Sequence, residues 1–179
     1  MIKGYNGLID GEFKKINRRD VSGIINIGGT ILKTSRSERF YKKEYQKKAV
    51  DNLISNNFDG LIVIGGNGSL RAANIISSEY DFPVICIPAT IDNDINEVDL
   101  SLGADTAVNV ALDALDKIRD TATSLERIFI VEVMGRNCGY IALKVGLSGG
   151  CEEVLIPEVE YDYDKMCEEI KIGNKKGKH

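Results

Sequence analysis

From about residue 40 onward, apolar runs and helical patterns alternate along the chain. "YKKEYQKKAVDNLISN" reads as an amphipathic helix, and "GLIVIGG" as a short buried strand ending in glycines. "SLRAANIISS" reads as a second helix and "PVICIPA" as a second strand. "GADTAVNVALDALDKIRDTA" is a long helix whose apolar residues recur at spacings of three and four. "RIFIVEVMG" then predicts a third strand, "CGYIALKVGLSGG" a helix and "EEVLIPE" a fourth strand, while "DKMCEEIKI" starts a last helix before the lysine-rich end.

Continuous β-branched runs separated by helices indicate a parallel sheet buried on both faces. The predicted class is α/β: a doubly wound, mostly parallel sheet in a Rossmann-like three-layer αβα arrangement. Ligands of such sheets bind beyond the carboxyl ends of the strands. The distinctive residues stand there: "GGNGS" after the first strand, "PATIDND" after the second and "MGRNCG" after the third. No linker, repeat or low-complexity segment intervenes. "GYNGLI" at the start looks like the exit of an earlier strand, and "GNKKGKH" stops without a closing element. The fold is therefore expected to be incomplete at both ends.

Composition narrows the partners. At 179 residues and 43% hydrophobic content the chain can bury one sizeable core. Lys+Arg 23 against Asp+Glu 27 gives a net charge of -4, which argues against nucleic acid as the main partner. No apolar run approaches the roughly 20 residues needed to span a bilayer, and "MIKGYNGLID" lacks a signal-peptide core. Cys86, Cys138, Cys151 and Cys167 are widely spaced with no CxxC, which reads as reduced thiols in a cytoplasmic protein. His179 is the only histidine and the last residue, which argues against histidine base catalysis within this chain.

Three groups of residues carry candidate chemistry. In "IGGNGSLRAA", Gly65, Gly66 and Gly68 allow close backbone approach to an anion, and Ser69 suits the N-cap of the next helix. The same segment also suits a tight strand-to-helix turn with no ligand. It is not a Walker A loop, and Arg71 breaks the dinucleotide fingerprint, which weakens a nicotinamide-binding reading. In "PATIDND", one carboxylate can accept a hydroxyl proton while a second holds Mg²⁺; the alternative is an Asx-rich turn capping the coming helix. Arg36, Arg127 and Arg136 offer planar forks for phosphate oxygens, though each alone also suits a surface ion pair.

"GGTILKTSRS", "IGGNGSLRAA", "PATIDNDI", "LDKIRDTA", "ERIFIVEVMGRNCGYIAL" and "GGCEEVLIPE" together resemble the successive motifs of the bacterial 6-phosphofructokinase family, in order and spacing. The resemblance covers nearly the whole chain. It implies transfer of the γ-phosphate of ATP to the 1-hydroxyl of fructose 6-phosphate in glycolysis. Asp92 would match the base, with Thr90 and Ile91 lining its pocket and Asp94 near Mg²⁺. Met134, Gly135 and Arg136 would hold the sugar phosphate and steady the transferring group, and Arg127 would reach a sugar phosphate in a neighbouring subunit. Arg36, Ser37, Gly66, Asn67, Gly68 and Ser69 would match the ATP site, with Asn67 also at the metal. Arg18, Arg119, Gly150, Cys151, Glu152 and Lys176 fall where family members bind ADP or phosphoenolpyruvate as effector. The family's shared sites imply a homotetramer. Residues 1–103 would be most of the ATP-binding lobe, and 104–179 the connecting helix and start of the fructose 6-phosphate lobe.

The chain departs from the family pattern in three ways. Asn67 stands where the family's loop has an aspartate that helps bind Mg²⁺. The family's opening "GGDAPGMN" strand and loop, and its later sugar-phosphate contacts, have no counterpart here. These departures give an expectation that the isolated chain is inactive, and they sustain a rival reading as a non-catalytic nucleotide- or effector-binding module. Within the family, the pyrophosphate-dependent form carries an aspartate and a lysine where this chain has Gly68 and Ala89, and these small residues favour ATP.

Overall fold

The computed structural model describes residues 1–125 and 127–175. The fold is α/β. Helices α1 (Tyr5–Asp10) and α2 (Lys43–Ser55) precede strand β1 (Leu61–Gly65), helix α3 (Asn67–Tyr80) and strand β2 (Val84–Pro88). Helices α4 (Ala104–Leu125), α5 (Tyr140–Gly149) and α6 (Tyr163–Lys175) follow. Contacts divide the chain into two units: Met1–Val63 with Gly68–Ile87, and Ile64–Asn67 with Pro88 onward.

The core of the first unit forms where α1, α2 and α3 cover one face of the strands. Leu8, Ile9, Leu53 and Ile76 are fully buried, with Phe40, Ala49, Val50 and Ala73 around them. Burying each large side chain contributes about 1.5–3 kcal/mol, so this cluster dominates the unit's stability. Asn52 donates to the Leu8 and Ile9 carbonyls at 2.9 and 3.0 Å, satisfying acceptors that the short helix α1 cannot pair itself. "GYNGLI" is thus helical rather than the exit of a strand. Gly4 (φ 59) and Gly11 (φ 71) bound one helical turn and a half, and that turn seats Leu8 and Ile9 in the core.

β1 and β2 pair in parallel: Leu61 N–H donates to Pro83 O at 2.9 Å, and Ala89 N–H to Gly65 O at 2.9 Å. With α3 between them they form a βαβ unit. Leu61 and Val63 are buried against the helices, whereas Ile62 and Ile64, on the opposite face, are more than 60% exposed. Burial on both faces, expected from the continuous apolar runs, therefore holds for one face among the described residues.

Two further expected strands do not form. Residues 127–135 and 152–158 form no strand ladder among the described residues, and the second stretch ends in a turn. Ile130 is 92% exposed, and Ile128, Phe129, Val131 and Leu155 are also exposed. Their composition suits a sheet, but a strand exists only against a neighbouring backbone edge, and among the described residues none pairs with them.

In the second unit, Leu115, Ile141 and Val145 pack as a compact cluster where α4 meets α5. Glycines make this contact close. A side chain at Gly149 would collide with Leu115, and one at Gly146 with Val154.

Candidate active site

The second unit holds the aspartate pair. After β2, Ala89 lies between Gly65 and Leu102: its N–H donates to Gly65 O, it bridges Leu102 in parallel, and Leu102 N–H donates to Pro88 O at 3.0 Å. The intervening residues 90–101 form a loop tied shut from inside. Ser101 Oγ donates to Thr90 O at 2.6 Å, and Ser101 N–H donates to Asn93 Oδ1 at 2.8 Å. Asn93 Nδ2 donates in turn to Asp99 O at 3.2 Å. Asn93 adopts φ 51, a left-handed conformation that asparagine tolerates better than most residues. The asparagine between the two aspartates is therefore the fastener of the loop.

The carboxylates flank that fastener. Asp92 is half-buried and its N–H donates to Thr90 Oγ1 at 3.3 Å; Asp94 is exposed. Neither forms an ion pair among the described residues. Each therefore keeps acceptor capacity for a proton or a cation. Gly66 comes close to Thr90; a Cβ there would lie 3.4 Å from Thr90 Cβ. Asn67 Nδ2 donates to Asp94 O at 3.4 Å, which leaves the Asn67 side-chain oxygen as a neutral acceptor near the Asp94 backbone.

α3 begins at Asn67, so Ser69 sits within its first turn and is not the N-cap expected from sequence. In the first unit the Ser69 carbonyl accepts the Tyr5 hydroxyl at 2.7 Å. Burial, and secondarily Cys86, push the Tyr5 phenol well above its ordinary range, so it stays a neutral donor. Gly68 is exposed beside it in sequence.

Arg36 and Ser37 lie on a loop that α1 holds. Asn6 Nδ2 donates to Ser35 Oγ at 2.9 Å and Arg36 O at 3.1 Å, and its Oδ1 accepts from Ser37 Oγ at 2.7 Å. Arg39 closes the loop with a two-pronged bond to Asp10, at 2.9 and 2.6 Å. Arg36 itself remains exposed.

The "MGRNCG" segment forms a reverse turn, with Cys138 N–H donating to Gly135 O at 2.9 Å. Gly135 is buried, and a side chain there would strike the Cys138 carbonyl. Arg136 occupies the first central position at φ 52. Met134, 73% exposed, and Arg136 border an open groove, and Arg127 is exposed at the end of α4. Ile91, next to Asp92, and Val133, next to Met134, both pack on the Leu115–Ile141–Val145 cluster. One apolar cluster thus supports the two segments singled out from sequence in this unit.

Among the expected effector residues, Arg119 Nη2 donates to Gly150 O at 3.0 Å, with Gly150 at φ 66 capping α5. Arg119, Cys151 and Glu152 line an apolar cavity of about 440 Å³. Arg18 lies in a turn of the first unit, and Lys176 lies outside the described residues. All four cysteines are free. No helix among the described residues is long and apolar enough to cross a membrane.

Sequence reasoning missed Asn6, Asn93, Ser101 and Glu158. Asn6 and Asn93 carried a faint signal, as asparagines in glycine- or aspartate-rich turns. Ser101 bonds residues 8 and 11 positions back and Glu158 accepts from Gly139, 19 positions back, separations that no local pattern reveals.

The phosphofructokinase family model matches residues 1–179. An ATP-dependent 6-phosphofructokinase of Thermoanaerobacter sp. (strain X514) is 51% identical over 178 residues, 99% of this chain and 56% of the relative. One of Natranaerobius thermophilus is 54% identical over 175 residues, 98% of this chain and 54% of the relative. The chain thus spans a little over half the length of the curated relatives it matches. The structure of phosphofructokinase from Saccharomyces cerevisiae superposes with a TM-score of 0.88 at 33% identity, covering 99% of this chain and 28% of that one. That likeness carries the Rossmann-like αβα class. Matched from end to end by the family pattern, this chain belongs to the phosphofructokinase family.

Proposed function

We propose that this chain provides the ATP side and the first sugar-binding elements of an ATP-dependent 6-phosphofructokinase. Residues 1–103 correspond to most of the ATP-binding lobe and 104–179 to the start of the fructose 6-phosphate lobe. The observation that carries the proposal is the shared support of Ile91 and Val133 on one cluster, which fixes the segments of Asp92 and of Met134–Arg136 in a single packing unit.

In the reaction, Asp92 accepts the proton of the sugar's 1-hydroxyl as that oxygen forms a bond to the γ-phosphorus of ATP. The bond from that phosphorus to the bridging oxygen breaks, and ADP leaves with the electron pair. Arg136 stabilises charge on the migrating phosphoryl group, while Thr90, Ile91, Arg127, Met134 and Gly135 bind and orient the sugar phosphate. Arg36, Ser37, Gly66, Asn67, Gly68 and Ser69 contact the nucleotide. Gly68 and Ala89 leave space that favours ATP over pyrophosphate.

The donor set suits Mg²⁺ that arrives with a nucleotide. Asp94 brings one carboxylate and Asn67 one amide oxygen, and no cluster of three or more His, Cys, Asp or Glu able to hold a metal occurs among the described residues. When bound, Mg²⁺ neutralises phosphate charge. Arg18, Arg119, Gly150, Cys151, Glu152 and Lys176 serve an ADP or phosphoenolpyruvate effector site in a cytoplasmic homotetramer.

The test assays the full-length protein with fructose 6-phosphate and either ATP or pyrophosphate. ATP supports fructose 1,6-bisphosphate formation, and Asp92→Asn lowers kcat by roughly 10²–10⁴-fold with little change in sugar KM. Pyrophosphate outperforming ATP, or an Asp92→Asn variant retaining half its turnover, would overturn the assignment.

A further inference from the structure

Glu158 lies 19 residues beyond Gly139, yet its Oε1 accepts the Gly139 N–H at 2.7 Å. Gly139 is the N-cap of α5 and, as glycine, has no side chain with which to cap the helix. The Glu158 carboxylate therefore supplies the cap from a separate segment, where the helix's unpaired amides and dipole favour a negative charge. Glycine is required at 139 for this fit. A Cβ there would lie 2.7 Å from Glu158 Oε2 and would collide with Ile156.

The cap adjoins the turn that carries Arg136. Cys138, immediately before Gly139, closes that turn on Gly135, and Arg136 is held at φ 52. Arginine has no intrinsic preference for the left-handed region, so it stays there only where the flanking structure imposes it. On the chain's C-terminal side, that imposition comes from the anchored Gly139. Without the Glu158 bond, the first turn of α5 loses an acceptor and frays, and the Gly135–Cys138 turn is free to relax.

From this geometry we infer that Glu158 is a positioning residue for the Met134–Arg136 segment, acting on sugar-phosphate binding through the Gly139 amide. The inference rests on the proposed role of Met134–Arg136 in holding fructose 6-phosphate. It assigns Glu158 no contact with substrate.

Glu158→Ala and Glu158→Gln in the full-length protein test it by two readouts: fructose 6-phosphate affinity by calorimetry, and amide hydrogen exchange of residues 136–140. Glu158→Ala weakens fructose 6-phosphate binding by roughly tenfold, the scale of one lost charge-assisted hydrogen bond, while ATP binding is unchanged. Exchange at Gly139 quickens in the same variant. Glu158→Gln keeps an acceptor oxygen and restores most of the affinity. If Glu158→Ala leaves exchange at Gly139 unaltered, the cap is not the constraint. If exchange quickens but sugar affinity holds within about twofold, the positioning role is wrong. If the unsubstituted protein binds no fructose 6-phosphate, the functional reading itself falls and takes this inference with it.

Discussion

Ser101, a residue only 3% exposed, donates its hydroxyl to the Thr90 carbonyl at 2.6 Å and thereby closes the loop that carries Asp92 and Asp94. Twelve residues of chain leave β2 and return to it through this bond and the Asn93 bonds beside it. The aspartates are presented by a buried polar latch.

Removing the latch should therefore cost stability before it costs chemistry. Ser101→Ala leaves the Thr90 carbonyl without its partner, at a cost of about 1–3 kcal/mol. Asn93→Ala should cost at least as much, because alanine also fits poorly at φ 51. Urea unfolding measures both. A loss below about 0.5 kcal/mol for Ser101→Ala would mean that the loop is held elsewhere.

Asn67 tests the proposed cation ligands. Replacing it with aspartate trades a neutral oxygen for a charged one beside Asp94, and hard cations favour the charged donor. Asn67→Asp should lower the half-saturating Mg²⁺ concentration several-fold, while fructose 6-phosphate affinity changes little. Calorimetric titration of Mg²⁺ into the nucleotide-bound protein reads this without turnover. An unchanged Mg²⁺ requirement would remove residue 67 from the ligand set.

The α4–α5 contact depends on Gly149. A methyl group there meets the Leu115 side chain, and overpacking of this kind costs about 1–3 kcal/mol. Gly149→Ala should destabilise the protein in denaturant, and the penalty should shrink when Leu115→Ala is already present. Equal penalties in both backgrounds would show that the two residues do not press on each other.

Asp10 gives a pH signature. Its hydrogen bonds from Arg39 hold the carboxyl below its ordinary value of 3.8, opposed by slight desolvation. A depressed folded-state pKa contributes stability that is fully present above the unfolded value and disappears as pH falls through the folded one. The stability difference between the unsubstituted protein and Arg39→Ala should therefore be constant at neutral pH and shrink on acidification below about pH 4. Both groups face solvent, so the effect is small and should diminish in high salt. A difference that grows on acidification would contradict the pairing.

The helices were legible in sequence because their signal is local. The apolar spacing of residues 43–55 and 104–125 repeats every three to four positions, and that repeat marks a buried stripe wherever the helix docks. The family was legible for a related reason. "TIDND" and "VEVMGR" are each contiguous, and with the other motifs in order they carry the resemblance to the family. Residues 127–135 and 152–158 were misread because apolar, β-branched composition permits a strand without forming one, and the partner edge is a property of the assembled fold. "GYNGLI" was misread because two flanking glycines and the Asn52 side chain, 43 and 44 residues from the carbonyls it bonds, made a short helix stable. The latch of Ser101 on Thr90 and the cap of Glu158 on Gly139 left no trace in spacing. A hydrogen bond between distant residues is set by where the backbone brings donor and acceptor, and only the tertiary structure decides that.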